Sequence, residues 1–202
     1  MSAYILFMAS WYSHLRGVNA RVAPPLLHGI AVELRNTQPA IANEAVLERL
    51  AESLALVATY APERLRHMQR DVRAIRVERF PTRGAFLPGE RVILTELTFL
   101  ARRDISAAPV ASSILHEGVH ARVHAFRARV GRGVPAADDM AREERLCRRA
   151  ELSFGRRLPL ALGAPVVERA LASLALADHH VAPTVDWALA RERQERVDRG
   201  EL

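Results

Sequence analysis

Two histidines four residues apart constrain the middle of this chain more than any other feature. They are His116 and His120, and Glu117 directly follows the first of them. On an α-helix, residues four apart lie on the same face, about 6 Å apart along the axis. Two imidazoles at this spacing can bind one Zn²⁺ ion from adjacent turns. The pattern therefore predicts a helix from near Ala108 to the glycines at 131–133, with a metal site on one face.

The glutamate between the histidines is a candidate catalytic base. A zinc ion with an open position lowers the pKa of bound water towards neutrality, and a nearby carboxylate can take a proton from that water. Glu117 is placed to do this, so we expect it to act as a general base and not as a ligand. The alternative is a helix in which His116 and His120 are ordinary core or surface residues.

This motif resembles that of the zincin metallopeptidases, in which H-E-x-x-H lies on the active-site helix. The resemblance rests on His116, Glu117 and His120, in the middle of the chain. It implies a bound zinc ion, hydrolysis of a peptide bond and a third ligand further along. Metzincins extend the motif with a glycine and a histidine, but Val123 and Phe126 occupy those positions here. The third ligand is therefore expected to be a glutamate on a later helix, as in gluzincins.

The segment 136–157 has the period of a helix and carries two acidic residues on its apolar stripe. Glu144 and Glu151 fall inside this stripe, and Glu143 lies at its edge. A carboxylate directed into a core is costly unless a partner compensates it, and a zinc ion would be such a partner. Helical phase does not choose between the two inward residues, and both could instead pair with arginines such as Arg148.

Resemblance to gluzincins suggests an order for these two glutamates, because the ligand there tends to come first on its helix. We therefore take Glu144 as the third metal ligand and Glu151 as the second candidate. If one of them binds the metal, the other could hydrogen-bond a ligand histidine. The predicted metal set is His116, His120 and Glu144, with zinc as the cofactor.

Composition excludes several other classes of protein. The 29 basic residues are all arginine and are dispersed among acidic residues, whereas a nucleic-acid surface needs basic residues gathered on one face. The single cysteine, Cys147, excludes an intramolecular disulfide and a zinc cluster built on cysteines. It also suits a reducing compartment, so we expect a cytoplasmic location.

The apolar run at residues 3–12 is shorter than the roughly 20 residues that span a bilayer. We expect it to be buried, with a peripheral membrane contact as the alternative. The length suits one zincin-like domain over residues 1–202. Within it, residues 1–40 form an N-terminal extension of uncertain structure, and residues 190–202 form a charged tail.

The remaining periodicity predicts an α+β fold that is mostly helical. Apolar residues recur at three- and four-residue steps after Asn43, and a second helix starts at Pro62. Alternation at 75–78 and a hairpin around Pro88 and Gly89 predict a small three-stranded sheet, packed on the motif helix. The segment 28–34 fits either a helix or a strand. Zincins are similar in that a small sheet precedes the motif helix, and the edge strand of their sheet binds extended substrate.

These observations predict a zinc-dependent hydrolase, specifically a metallopeptidase acting on a peptide or protein. Glu117 is the expected base, and the metal is the expected activator of water. The alternative is a non-catalytic helical protein that binds a partner, with the motif present by chance or as a structural zinc clip.

Overall fold

The structure is a computed structural model that describes residues 24–131, 137–182 and 186–199, and it confirms a mostly helical α+β fold. The helices are α1 (Asn43–Tyr60), α2 (Pro62–Asp71), α3 (Leu97–Ala101), α4 (Ala107–Arg129), α5 (Ala137–Arg157), α6 (Leu160–Leu174), α7 (Asp178–Val181) and α8 (Trp187–Asp198). The strands are β1 (Leu26–Leu27), β2 (Ile30–Leu34), β3 (Ala74–Glu78), β4 (Gly84–Leu87) and β5 (Val92–Glu96). None of the described helices combines the length and the apolar character needed to cross a membrane.

The strands form one mixed sheet in the order β1-β2-β3-β5-β4. Strand β3 is parallel to β2 on one side and to β5 on the other, while β1 and β4 pair antiparallel at the two edges. The prediction of a three-stranded sheet is therefore wrong, because β1 and β2 extend it to five. Helices α1 and α2 connect β2 to β3 in the chain. A crossover connection of this kind leaves no local turn signal in the sequence.

A tight hairpin joins β1 to β2, within residues 1–40, which the sequence predicts to be an N-terminal extension of uncertain structure. Leu27 pairs with Ile30, so the loop contains only His28 and Gly29, with φ of 48° and 76°. Positive φ at both positions is the signature of a type I′ turn, which matches the twist of antiparallel strands. The apolar run at residues 3–12 lies outside the described residues. At the other end, residues 190–198 of the charged tail belong to α8.

The core forms where the periodicity predicts it. Four apolar residues of α1 are fully buried: Val46, Leu50, Leu54 and Val57. They lie in one cluster with residues of the central strand and of α4, including Ile75, Val77, Ile114 and Leu115. Burying side chains of this size contributes about 1.5–3 kcal/mol each. The back of the motif helix is thus fixed by apolar packing, which leaves its other face for polar residues.

The motif helix α4 is capped at its start and closely packed at its middle. The hydroxyl of Ser106 accepts a hydrogen bond from the backbone N–H of Ala108. Gly118, inside the motif, allows α2 to approach, since a Cβ there would lie 2.6 Å from Cγ of Met68. Met68 is only 1% exposed and fills that space. The position between the motif histidines is therefore shaped by the contact with α2.

A second close approach joins α5 to α6. A Cβ added at Gly163 would lie 2.2 Å from the carbonyl oxygen of Gly155, which is a backbone atom that cannot rotate away. The two helices can therefore pack at this separation only with glycine at 163. Because α5 carries the candidate ligand glutamates, this contact also fixes the position of the site.

We predict that Gly163→Ala lowers the free energy of unfolding by about 1–3 kcal/mol, the usual range for overpacking. Alanine has a better helix propensity than glycine, by about 1 kcal/mol, and this gain alone would stabilise the variant. A fall in the free energy of unfolding therefore shows that the steric conflict exceeds this gain. Urea denaturation of both proteins measures the difference.

Gly89→Ala is the matched control, because a Cβ at Gly89 would have nothing within 4 Å. We expect its unfolding midpoint to stay close to that of the unaltered protein. Equal stability of the Gly163→Ala and Gly89→Ala proteins would show that α5 and α6 do not pack as closely as described.

Candidate metal centre

The two motif histidines lie side by side on α4 and face α5. Their Nε2 atoms are 3.1 Å apart, and their ring centroids are separated by 4.9 Å. His116 is 6% exposed, and the side chain of His120 is 18% exposed. The helix predicted from their spacing is therefore present, and it places both imidazoles at one point between two helices.

Glu144 of α5 closes the gap between these two rings. One of its carboxylate oxygens lies 3.2 Å from Nε2 of His116, and the other lies 3.1 Å from Nε2 of His120. Ligands of a tetrahedral zinc ion with bonds of about 2.0–2.1 Å are about 3.3–3.4 Å apart. The three groups therefore already have nearly the mutual spacing of a zinc ligand set.

The outer nitrogens of both rings are held by two further carboxylates. Nδ1 of His116 lies 2.6 Å from Glu151, and Nδ1 of His120 lies 2.7 Å from Glu143. If each ring donates its proton outward to these acceptors, both Nε2 lone pairs face each other and the Glu144 carboxylate. Three hydrogen-bond acceptors, the two Nε2 atoms and the Glu144 carboxylate, would then face one point with no hydrogen-bond donor between them. The donor set therefore fits a bound cation.

Other side chains anchor the outer carboxylates in turn. Glu151 is completely buried, and it accepts hydrogen bonds from Arg148 at 2.6 Å, Arg169 at 2.6 Å and Ser112 at 2.9 Å. A buried carboxylate without such partners would be destabilising by several kcal/mol. The sequence left open whether the inward glutamates pair with histidines or with arginines, and Glu151 does both.

The second outer carboxylate has a simpler anchor. Glu143 pairs with Arg127, near the end of α4. Glu143 was only an edge residue of the apolar stripe by helical phase, and its contact with His120 was not predicted. Its position directly before Glu144 is the signal that could have revealed it, because consecutive helical residues can reach the two sides of one facing ring.

The protonation of these groups reflects strong mutual attraction. Burial lowers the pKa of His116, but hydrogen bonds with Glu144 and Glu151 outweigh burial and raise it to about 10. Burial also lowers the pKa of His120. Contacts with Cys147, Glu143 and Glu144 outweigh burial and raise this pKa well above its ordinary value. Although burial raises the pKa of Glu151, its hydrogen bond with His116 and nearby arginines lower it to about 2. The centre therefore strongly favours positive charge at the imidazoles.

Glu117 is oriented differently from the other glutamates. It is 9% exposed, and a Cβ built on Gly84 of β4 would lie 3.4 Å from its carboxylate. Burial raises the pKa of Glu117, while the charges of His116 and His120 lower it, and no hydrogen bond contributes. Within the described residues its carboxylate thus has no hydrogen-bond donor, and it lies between the histidines and the edge strand.

Cys147 is a further candidate ligand that sequence reasoning set aside. Its thiol and one ring nitrogen from each of His116 and His120 lie within 4.8 Å of one another, and the residue is completely buried. We favour Glu144 over Cys147 as the third ligand, because its oxygens lie within 3.2 Å of the facing Nε2 atoms. A single cysteine cannot form a zinc site made only of cysteine ligands, but its thiol can join a ligand set that also contains histidines.

No family model, curated protein or solved structure matches this chain. The likeness to zincins therefore stays a resemblance of His116, Glu117 and His120. The structure places Glu144, on the following helix, beside His116 and His120.

We predict that the purified protein binds about one zinc ion per chain, and that His116→Ala and His120→Ala lose most of it. Glu144→Ala should abolish tight binding. Glu151→Ala should weaken it by about ten- to a hundredfold, because it removes only the orienting hydrogen bond to a ligand ring. Competition with a chelator measures all four affinities.

His124→Ala is the matched control, since His124 is an exposed histidine on the same helix. We expect it to retain full zinc affinity. If Glu151→Ala loses more zinc affinity than Glu144→Ala, Glu151 is the ligand and Glu144 is the residue that orients a ligand ring. Unchanged affinity in every variant would mean that zinc binds elsewhere.

Proposed function

We propose that this protein is a zinc-dependent hydrolase that cleaves peptide bonds. The observation that carries the proposal is the meeting of His116, His120 and Glu144 at mutual distances of 3.1–3.2 Å, with Glu117 beside them. Two histidines and a glutamate leave one of four tetrahedral positions open, which is the arrangement of a catalytic zinc site.

Zinc held by these three residues would supply an activated water and would polarise the scissile carbonyl group. Glu117 would accept the proton from the attacking water and deliver it to the leaving amine. Glu151 and Glu143 would fix the orientation of the imidazoles through their outer nitrogens.

Strand β4 offers a place for an extended substrate. It lies at the edge of the sheet, paired with β5 on one side only. Its first residue, Gly84, approaches the Glu117 carboxylate, so a peptide added along the free edge would pass beside the proposed base. Main-chain hydrogen bonds to an edge strand are a common mode of peptide recognition. A peptide or protein chain is therefore the proposed substrate.

We predict that Glu117→Gln keeps the fold and the zinc but reduces hydrolysis by at least about a hundredfold. The amide preserves the shape of the side chain and removes the proton acceptor, and lost acid–base catalysis typically costs this much. Hydrolysis of a mixed peptide pool, followed by mass spectrometry, gives the rate, and metal analysis gives the zinc content.

The His124→Ala protein serves as the active control in the same assay. Loss of zinc together with activity in Glu117→Gln would assign Glu117 to metal binding instead of catalysis. Hydrolysis at the full rate by Glu117→Gln would remove it from the mechanism.

A second function is favoured by Cys147. If its buried thiol joined His116, His120 and Glu144, the metal would have four protein ligands and no open position. A closed set of this kind is typical of structural zinc. The protein would then be a non-catalytic, partner-binding molecule in which zinc ties α4 to α5.

The two functions differ in the spectrum of the cobalt-substituted protein. We predict that Co²⁺ bound to the unaltered protein shows no sulfur-to-metal charge-transfer band, and that Cys147→Ala leaves both the spectrum and the metal affinity unchanged. A charge-transfer band that disappears in Cys147→Ala, with a fall in affinity, would establish the closed set. Cys147→Ser provides a second variant if Cys147→Ala disturbs the packing.

A further inference from the structure

A guanidinium group lies at the start of the edge strand β4, close to the candidate metal centre. Arg83 directly precedes Gly84, and a Cβ at Gly84 would lie 3.4 Å from the Glu117 carboxylate. Neighbouring Cα atoms are about 3.8 Å apart, so the Cα of Arg83 lies within about 9 Å of that carboxylate. The backbone there is fixed, because the N–H of Glu96 donates a 3.0 Å hydrogen bond to the carbonyl oxygen of Arg83. Arg83 is therefore held near the proposed base.

The charges that act on Arg83 belong to arginines of the metal centre. Burial lowers the pKa of Arg83, and so do the charges of Arg169 and Arg148. Each of these two arginines binds Glu151 at 2.6 Å, and Glu151 lies 2.6 Å from Nδ1 of His116. The guanidinium group of Arg83 therefore lies on the side of the metal centre that His116 occupies.

The neighbouring arginines have acidic partners, whereas Arg83 has none among the residues that the structure describes. Arg102, the remaining cation that acts on Arg83, binds both carboxylate oxygens of Asp104. Within the described residues no acidic group acts on the pKa of Arg83, and its guanidinium carbon lies 5.2 Å from the centre of the Phe99 ring. Contact with a ring face is attractive, but it leaves the positive charge in place.

A carboxylate on the substrate would supply a partner for this charge. Arg83 is exposed, so a ligand can reach it from solvent. Arginine offers paired N–H donors that match a carboxylate, and such charged hydrogen bonds are roughly twice as strong as neutral ones. The proposed substrate lies along β4, where it passes Gly84 and Glu117. An extended peptide advances about 3.3 Å per residue, so a distance of about 9 Å corresponds to roughly three residues.

We propose that the substrate is an anionic peptide, and that Arg83 determines specificity by binding a carboxylate within about three residues of the cleaved bond. This carboxylate belongs to the C-terminus of the peptide or to an aspartate or glutamate side chain, and both sources offer the same chemistry. The inference rests on the proposed hydrolase, because it names the substrate class of that site.

Short synthetic peptides with acetylated N-termini, prepared in three forms, test the proposal. The first form has a free C-terminus and no acidic side chain. The second has an amidated C-terminus and one glutamate, placed at each position in turn, and the third has glutamine in place of that glutamate. We expect kcat/KM for the first or the second form to exceed that for the uncharged third form by at least about tenfold, the value of one charged hydrogen bond.

Preference for the first form would assign the C-terminal carboxylate, and preference for the second would assign an acidic side chain. In the second form, the glutamate that promotes cleavage should lie within about three residues of the cleaved bond. Equal cleavage of all three forms by the zinc-loaded protein would overturn the proposal.

Variants of Arg83 separate recognition of charge from a structural role. Arg83→Gln should raise KM for the preferred anionic form by at least about tenfold, with kcat, zinc affinity and cleavage of the uncharged form little changed. Arg83→Lys should keep part of the preference, because the positive charge remains. Arg83→Glu should reverse it in favour of peptides with lysine in place of glutamate. Equal losses on charged and uncharged peptides would show a structural role and would overturn the proposal.

Arg142→Gln is the matched control, because Arg142 is an exposed arginine on α5 whose charge is not among those that act on Arg83. It removes the same charge as Arg83→Gln, and we expect it to keep the preference for anionic peptides. Loss of the preference in Arg142→Gln as well would point to the net charge of the protein and would overturn the assignment to Arg83.

Peptide binding to the Glu117→Gln protein, measured by isothermal titration with the same three forms, distinguishes this inference from the proposed hydrolase. Binding that requires the carboxylate and is lost in Glu117→Gln/Arg83→Gln would support the role of Arg83 even if no peptide is cleaved. Cleavage without any preference for charge would support the hydrolase and overturn the inference. Absence of both cleavage and carboxylate-dependent binding would overturn both.

Discussion

The contact between the Nε2 atoms of His116 and His120 determines how the surrounding side chains must be arranged. Two ring nitrogens 3.1 Å apart attract each other only when a proton or a metal ion lies between them, because two facing lone pairs repel. Glu144 adds a carboxylate to the same point, and Glu143 and Glu151 hold the far sides of the rings. The arginines and the serine that anchor these glutamates follow from that need for compensation.

Much of the candidate site could be predicted because helical geometry relates chain spacing to a face. The four-residue step brought His116 and His120 together, and helical phase directed Glu144 and Glu151 towards them. Phase alone could not assign different tasks to these two glutamates, because a side chain's reach depends on its rotamer and on the separation of the helices. The same limit hid Glu143, which reaches His120 from the edge of the stripe.

The sheet shows the complementary limit of local patterns. The hairpin of β4 and β5 was visible from alternation around a turn, and both strands are present. Strand β2 pairs with β3 across the whole of α1 and α2, so its partner is distant in the chain. The positive φ values of His28 and Gly29 were equally hard to predict, because His-Gly is not one of the dipeptides, such as Asn-Gly and Asp-Gly, that mark a type I′ turn.

The location of the candidate ligands on two helices has a consequence for stability. His116 and His120 lie on α4, whereas Glu144 lies on α5, and residues 130–136 separate these helices in the chain. A metal ion bound there would act as a cross-link that only the folded chain can form, so part of its binding free energy would become folding free energy. At a free metal concentration a hundred times the dissociation constant, this linkage contributes about 2.7 kcal/mol. The heat resistance of the molecule would therefore follow the metal supply of its surroundings.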